Sequence, residues 1–81
     1  MPKVLNRALK IAGETRVFAG FRVQVIRYNV LDQVMEATFA GVPEDNKPGF
    51  QVACILMDTT NGDLYRNEGT ALLTTWVKIA D

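Results

Sequence analysis

The fold is most clearly encoded in one stretch of the chain, Phe50-Gln51-Val52-Ala53-Cys54-Ile55-Leu56-Met57-Asp58-Thr59-Thr60-Asn61-Gly62-Asp63. Its first eight residues are mostly apolar, and in a strand they alternate between two faces. One face carries Phe50, Val52, Cys54 and Leu56, and the other carries Ala53, Ile55 and Met57. Because both faces are apolar, the sequence predicts a strand that is covered on both sides.

The dipeptide Asn61-Gly62 predicts a hairpin directly after this strand. Asn and Gly tolerate the positive φ that both central positions of a type I′ turn require. A two-residue loop pairs Thr60 with Asp63, Thr59 with Leu64, Asp58 with Tyr65 and Met57 with Arg66.

Two further strands extend this hairpin. The turn Asn67–Thr70 leads to a predicted strand Thr74–Ile79, in which Trp76 shares a face with Thr74 and Lys78. Upstream, Phe21–Tyr28 alternates apolar and polar residues and is also predicted to be a strand. The result is a three-stranded meander joined by the strand at Phe21.

Residues 30–40 are open to two interpretations. Val30 and Val34 are four residues apart, and so are Leu31, Met35 and Phe39, which favours a short amphipathic helix capped by Asn29. The alternative is a strand from Met35 to Phe39. Residues 41–48 contain two prolines among turn-forming residues and are predicted to be a loop.

The first twenty residues allow a helix or an extended arm. Leu5, Ala8, Leu9 and Ala12 have helical spacing that ends near Gly13, but a helix this short needs tertiary burial to persist. We therefore divide the chain into a basic arm or short helix at residues 1–20 and a single β-rich domain at residues 21–81. The predicted fold class is mainly β: a small antiparallel sheet, or a compact barrel or sandwich, built on the C-terminal meander.

The residue inventory argues against an enzyme. The 81 residues include one cysteine, no histidine and no serine, which excludes serine-based triads and every nucleophile assisted by histidine. Cys54 lies among apolar residues and is interpreted as an inert core thiol. No cofactor or metal is expected, although Asp58, Asn61 and Asp63 weakly suggest calcium ligands. Turn chemistry explains those three residues more simply.

The aromatic residues offer a second candidate site. Trp76, Tyr65 and Tyr28 are of the type that stacks on bases or sugars. Without a basic stripe beside them, packing in the core or at an interface is the preferred interpretation.

Charge is balanced overall but unevenly distributed. Residues 1–27 carry six basic groups and one acid, whereas residues 28–81 carry three basic groups and eight acids. With a net charge of zero, nothing global attracts nucleic acid or an anionic membrane, and neither is expected as a partner. The asymmetry suits docking of the basic segment onto an acidic surface, and simple solvation of these charges is the alternative.

The segment Gly49–Ala71, followed by Trp76, resembles part of the small virion proteins of tailed bacteriophages, among them capsid decoration (cement) and head-fibre proteins. In that pattern an apolar strand ends in an Asp-Thr-Thr-Asn-Gly-like hairpin. Leu-Tyr, Asn-Glu-Gly-Thr and an aromatic strand follow. The N-terminal half shows no such similarity.

The resemblance implies a non-catalytic capsid decoration protein that is made in the host cytoplasm and stabilises the assembled head from its outer surface. Its expected partners are the major capsid protein and further copies of itself, by analogy as a trimer. The N-terminal residues expected to contact the partner are Lys3, Val4, Leu5, Arg7, Leu9, Lys10, Arg16 and Phe18. The alternatives are a head-fibre base or tail component, and a host-surface glycan-binding module using Trp76, Tyr65 and the loop at residues 41–48.

Overall fold

The computed structural model describes residues 11–80, which form one six-stranded sheet. Its strands are β1 Ile11–Phe18, β2 Phe21–Tyr28, β3 Val34–Phe39, β4 Phe50–Asp58, β5 Asp63–Asn67 and β6 Trp76–Ala80. They lie side by side in chain order. Every neighbouring pair is antiparallel except β3 and β4, which are parallel.

The core lies on one face of the sheet, the inner face, and is centred on Phe50. The Phe50 ring centroid is 4.8 Å from that of Phe18, 5.8 Å from that of Phe21 and 5.3 Å from that of Trp76. In a flat sheet, β1 and β4 would be roughly 14 Å apart, at about 4.8 Å per strand. The contact between Phe18 and Phe50 therefore requires the sheet to curl around its core.

Two loops pack against each other along the core. The crossover that joins the parallel strands, residues 40–49, hydrogen-bonds to the loop before β6: Asn46 N–H donates to Thr74 O, and Gly49 N–H donates to Ala71 O. A side chain at position 49 would meet the ring of Phe18, since an added Cβ would lie 2.6 Å from it, and φ there is +96°. Glycine is thus required where this crossover approaches the core.

The main sequence predictions of the fold are confirmed. The protein is mainly β, β2 has the predicted bounds, and the chain from β4 to β6 forms the predicted meander. The sheet is mixed instead of purely antiparallel, because the chain crosses over between β3 and β4.

The predicted helix at residues 30–40 is wrong, and the alternative strand is correct. Val34–Phe39 is β3, with β2 on one side and β4 on the other. Two neighbouring strands satisfy its backbone groups, and this outweighs the local helical spacing because helix propensity is a weak preference.

The predicted register of the hairpin is also wrong. Asp58 pairs with Asp63, and Met57 pairs with Leu64, so the loop has four residues, Thr59–Gly62. The shift of two residues preserves the faces, because side chains alternate with a period of two. The expectation that both faces of β4 are covered fails as well: Val52 and Met57 are exposed.

The predicted boundary at residue 20 does not separate an arm from the domain. Ile11–Phe18 is strand β1 and pairs with β2 in the same sheet. The rest of the predicted arm or helix, residues 1–10, lies outside the described residues.

Candidate functional site

Five of the large apolar side chains that are exposed in the described part of the chain lie on turns and strand ends at one end of the sheet. At this end β2 finishes, β3 and β4 begin, and β5 finishes. The five residues are between 49% and 74% exposed: Val30, Leu31, Val52, Leu72 and Leu73. We call this surface the apolar end. Large apolar side chains such as Val17, Val42 and Met57 are also exposed at the other end, so what distinguishes these five is that they lie on neighbouring turns and strand ends. A contiguous apolar patch indicates a contact surface.

The turn that carries Val30 and Leu31 is held by Asn29. The side-chain oxygen of Asn29 accepts hydrogen bonds from the backbone N–H groups of Leu31 and Gln33, at 2.8 and 2.9 Å. Its backbone N–H donates to Gln33 O, and its carbonyl accepts from Asp32 N–H. The two apolar side chains are therefore presented on an ordered turn.

The loop that carries Leu72 and Leu73 is organised by Asn67 and Thr70. Asn67 is buried. Its side-chain N–H groups donate hydrogen bonds to the carbonyls of Phe50, Gln51 and Thr70. Its side-chain oxygen accepts hydrogen bonds from the backbone N–H groups of Gly69 and Thr75. The Thr70 hydroxyl accepts from Leu72 and Leu73 N–H.

Gln51 joins these two structures. Its side-chain oxygen accepts from the amide of Asn29 at 2.9 Å, and its backbone carbonyl accepts from the amide of Asn67 at 3.1 Å. The turn, the start of β4 and the loop are thus linked in one network. An ordered surface loses little conformational entropy when it binds a partner.

The opposite end of β3 and β4 carries a shallow depression of about 470 Å³. Its lining consists of Thr15, Arg22, Val23, Gln24, Thr38, Phe39, Ala40 and Thr59. Thr15, Gln24 and Thr38 form one row across β1, β2 and β3. We call this region the polar end.

Asp58 organises the hairpin loop beside the depression. It is buried, and its carboxylate accepts hydrogen bonds from Gly41, Thr60 and Asn61 N–H and from the Asn61 amide. Burial alone raises the pKa of Asp58, but the hydrogen bonds from Asn61, Thr60 and Gly41 outweigh it and lower the pKa. The carboxylate therefore stabilises the loop, as turn chemistry predicted.

Two of the eight N-terminal residues predicted to bind a partner lie within the described chain, Arg16 and Phe18. Phe18 is 8% exposed and packs on Phe50, so the structure assigns it to the core and not to a contact surface. Arg16 donates a hydrogen bond to the Tyr28 hydroxyl and stacks over the Phe18 ring. The Tyr28 hydroxyl in turn donates to Glu14. Arg16 is thus engaged within the fold.

The other six predicted contact residues, Lys3, Val4, Leu5, Arg7, Leu9 and Lys10, lie outside the described residues. They precede Ile11, where β1 begins. Since β1 is antiparallel to β2, it begins beside the end of β2, which is at the apolar end.

The aromatic platform is not exposed. Trp76 and Tyr65 are buried, and the indole N–H of Trp76 donates to Glu44 O at 2.9 Å. The preferred interpretation is packing in the core or at an interface, and the structure places both side chains in the core. Cys54 is buried as expected, and burial, followed by the negative charge of Glu36, raises the pKa of its thiol to about 12.

Sequence reasoning missed both ends of the sheet. Adjacent apolar pairs next to turn-forming residues, Val30-Leu31 after Asn29 and Leu72-Leu73 after Thr70, were the available signal for the apolar end. The depression has no local signal, because its lining comes from β1, β2, β3 and the hairpin loop.

Within residues 11–80, no helix is long and apolar enough to cross a membrane. In the same part of the chain, no three acidic, cysteine or histidine side chains are grouped so as to hold a metal ion. No family model, no curated protein and no solved structure matches the chain.

Proposed function

We propose that this protein is a non-catalytic capsid decoration protein of a tailed bacteriophage, which docks its apolar end onto the outer surface of the assembled head. The observation that carries the docking surface is the group of five exposed apolar side chains on hydrogen-bonded turns. The virion setting is supported by the resemblance of the segment Gly49–Ala71.

The mechanism follows from the size of the protein and the symmetry of a shell. A protein that binds only the assembled lattice shifts the equilibrium toward that lattice, by linkage. A shell offers many identical junctions, so even modest affinity at each junction adds up over the particle. The buried anchors would be Leu31 and Leu72, the two most exposed large apolar side chains among the described residues.

The basic residues of the N-terminal segment supply the second part of the proposal. Lys3, Arg7 and Lys10 precede Ile11 in the chain, and β1 begins at Ile11 beside the apolar end; in this proposal their positive charges steer the contact toward an acidic capsid surface. Self-association at a symmetry axis of the shell remains part of this proposal by analogy alone.

Mutation of the apolar end tests the docking surface. Head shells that lack this protein are mixed with the purified protein and are then pelleted. Quantitative mass spectrometry of the pellet gives the number of bound copies per capsid subunit. The double substitution Leu31→Ser with Leu72→Ser is expected to weaken binding at least tenfold. Burying one leucine contributes about 1.5–3 kcal/mol, and 1.4 kcal/mol is about tenfold in affinity.

Val42→Ser is the matched control, because Val42 is 62% exposed but lies in the crossover after β3, away from the apolar end. It is expected to bind like the unmodified protein. Equal binding by all three proteins would overturn the docking surface.

The copy number in purified virions tests the virion assignment separately. A number of the same order as the capsid subunit is expected. A handful of copies per particle would favour the head-fibre or tail alternative, and absence from virions would overturn the proposal.

A further inference from the structure

Most polar side chains around the depression at the polar end are not tied into the fold by hydrogen bonds; the exception is Thr59, whose hydroxyl donates to Phe39 O at 3.4 Å. Within the part of the chain that the structure describes, Thr15, Arg22, Gln24 and Thr38 make no side-chain hydrogen bond or ion pair. At the apolar end, by contrast, the side chains of Asn29, Asn67 and Thr70 are bonded to nearby backbone groups.

The lining combines three kinds of group. Thr15, Thr38 and Gln24 can each donate and accept hydrogen bonds. Arg22 presents a planar guanidinium that matches a carboxylate in a bidentate geometry. Ala40 adds a small apolar part, whereas the ring of Phe39 packs on Phe21 in the core, with the ring centroids 4.7 Å apart.

We infer that this depression binds an acidic monosaccharide unit, with its carboxylate on Arg22. The ring hydroxyls of such a sugar match the hydroxyl and amide groups of the row Thr15–Gln24–Thr38. The volume of about 470 Å³ lies within the usual range for small-molecule sites, about 300–1,000 Å³. An extended acidic peptide fits less well, because peptide recognition of this kind relies on pairing with a sheet edge, whereas this row runs across three paired strands.

The site is independent of the proposed docking surface. It lies at the far end of β3 from the turn at residues 29–33, roughly 17 Å away, because the 6 residues of β3 are separated by five steps of about 3.3 Å. A protein docked by its apolar end would present the depression to solvent.

Titration with D-glucuronate, followed by 1H–15N NMR, tests the inference. Saturable shifts are expected at the amides of Thr15, Gln24 and Thr38. D-glucose, which lacks the carboxylate, and acetate, which lacks the ring, are each expected to bind at least tenfold more weakly.

Two matched substitutions complete the experiment. Arg22→Gln is expected to weaken glucuronate binding at least tenfold, while Arg66→Gln, which removes an exposed arginine outside the depression, is expected to leave it unchanged. Both variants are checked for an unaltered spectrum away from the substitution. The inference is overturned if no saturable shifts occur at the row, if both variants bind equally, or if triglutamate peptide binds as tightly as glucuronate.

Discussion

The two ends of the sheet use the same kinds of residue in opposite ways. At the apolar end, amide and hydroxyl side chains bond to the backbone, and leucine and valine side chains face solvent. At the polar end, the side chains of Thr15, Arg22, Gln24 and Thr38 make no such bonds among residues 11–80, although Thr59 beside them donates to Phe39 O. Residue type alone therefore does not identify a binding surface. The property that distinguishes the two ends is whether the polar side chains are hydrogen-bonded within the fold.

The largest effect is expected for Asn67→Ala at the apolar end. The buried Asn67 side chain is hydrogen-bonded to five backbone groups, its two N–H bonds being shared among three carbonyls. Its loss leaves several buried groups unsatisfied, and we expect the free energy of unfolding to fall by about 3 kcal/mol. Urea unfolding monitored by Trp76 fluorescence measures this loss of unfolding free energy.

Asn61→Ala is the control at the polar end, because Asn61 is exposed and its side chain makes one hydrogen bond, to Asp58. Its expected cost is about 0.5–1 kcal/mol. Equal losses for the two variants would contradict the structural role assigned to asparagine at the apolar end.

A smaller effect is expected for Asn29→Ala. The turn loses the hydrogen bonds from Leu31 and Gln33 N–H and the link to Gln51, but it is partly exposed, so water replaces them in part. We expect a loss of about 1 kcal/mol. Faster amide hydrogen exchange at residues 30–33 should accompany it, and exchange that is unchanged there would show that Asn29 does not order the turn.

The last prediction concerns Asp58 and is measured as a change of stability with pH. Its pKa is lower in the folded protein than the ordinary 3.8. The carboxylate therefore stabilises the fold above pH 3.8, and this contribution is lost as the pH falls below 3.8 and through the folded pKa. Thermal unfolding between pH 5 and pH 2 should show a smaller decline for Asp58→Asn than for the unmodified protein. If the unfolding temperatures of the two proteins declined in parallel between pH 5 and pH 2, the lowered pKa of Asp58 in the folded protein would be contradicted.

The strands that could be predicted are those whose pattern is local. β2 alternates apolar and polar side chains, and its burial follows the same alternation up to Val25. β3 could not be identified from spacing, because its register against β2 is irregular and the burial of Val34 and Ala37 three residues apart imitates a helix.

The predicted register of the hairpin was wrong for a related reason. Asn61-Gly62 suggested a two-residue turn, but the Asp58 carboxylate binds three backbone N–H groups and closes a four-residue loop. One of the three belongs to Gly41, seventeen residues away. A distant donor of this kind is invisible in a local motif.

By itself, the sequence determined that the protein is mainly β, that Cys54 is buried and that Trp76 is packed against other residues. These features could be predicted because strand alternation and the burial of apolar side chains depend on neighbouring residues and on composition. Only the tertiary structure decided that Phe18 belongs to the core, that Leu31 and Leu72 are exposed at one end, and that Arg22 adjoins a depression at the other. Those positions depend on how the sheet curls and where its crossover runs. Both result from contacts between residues far apart in the chain, which no local pattern records.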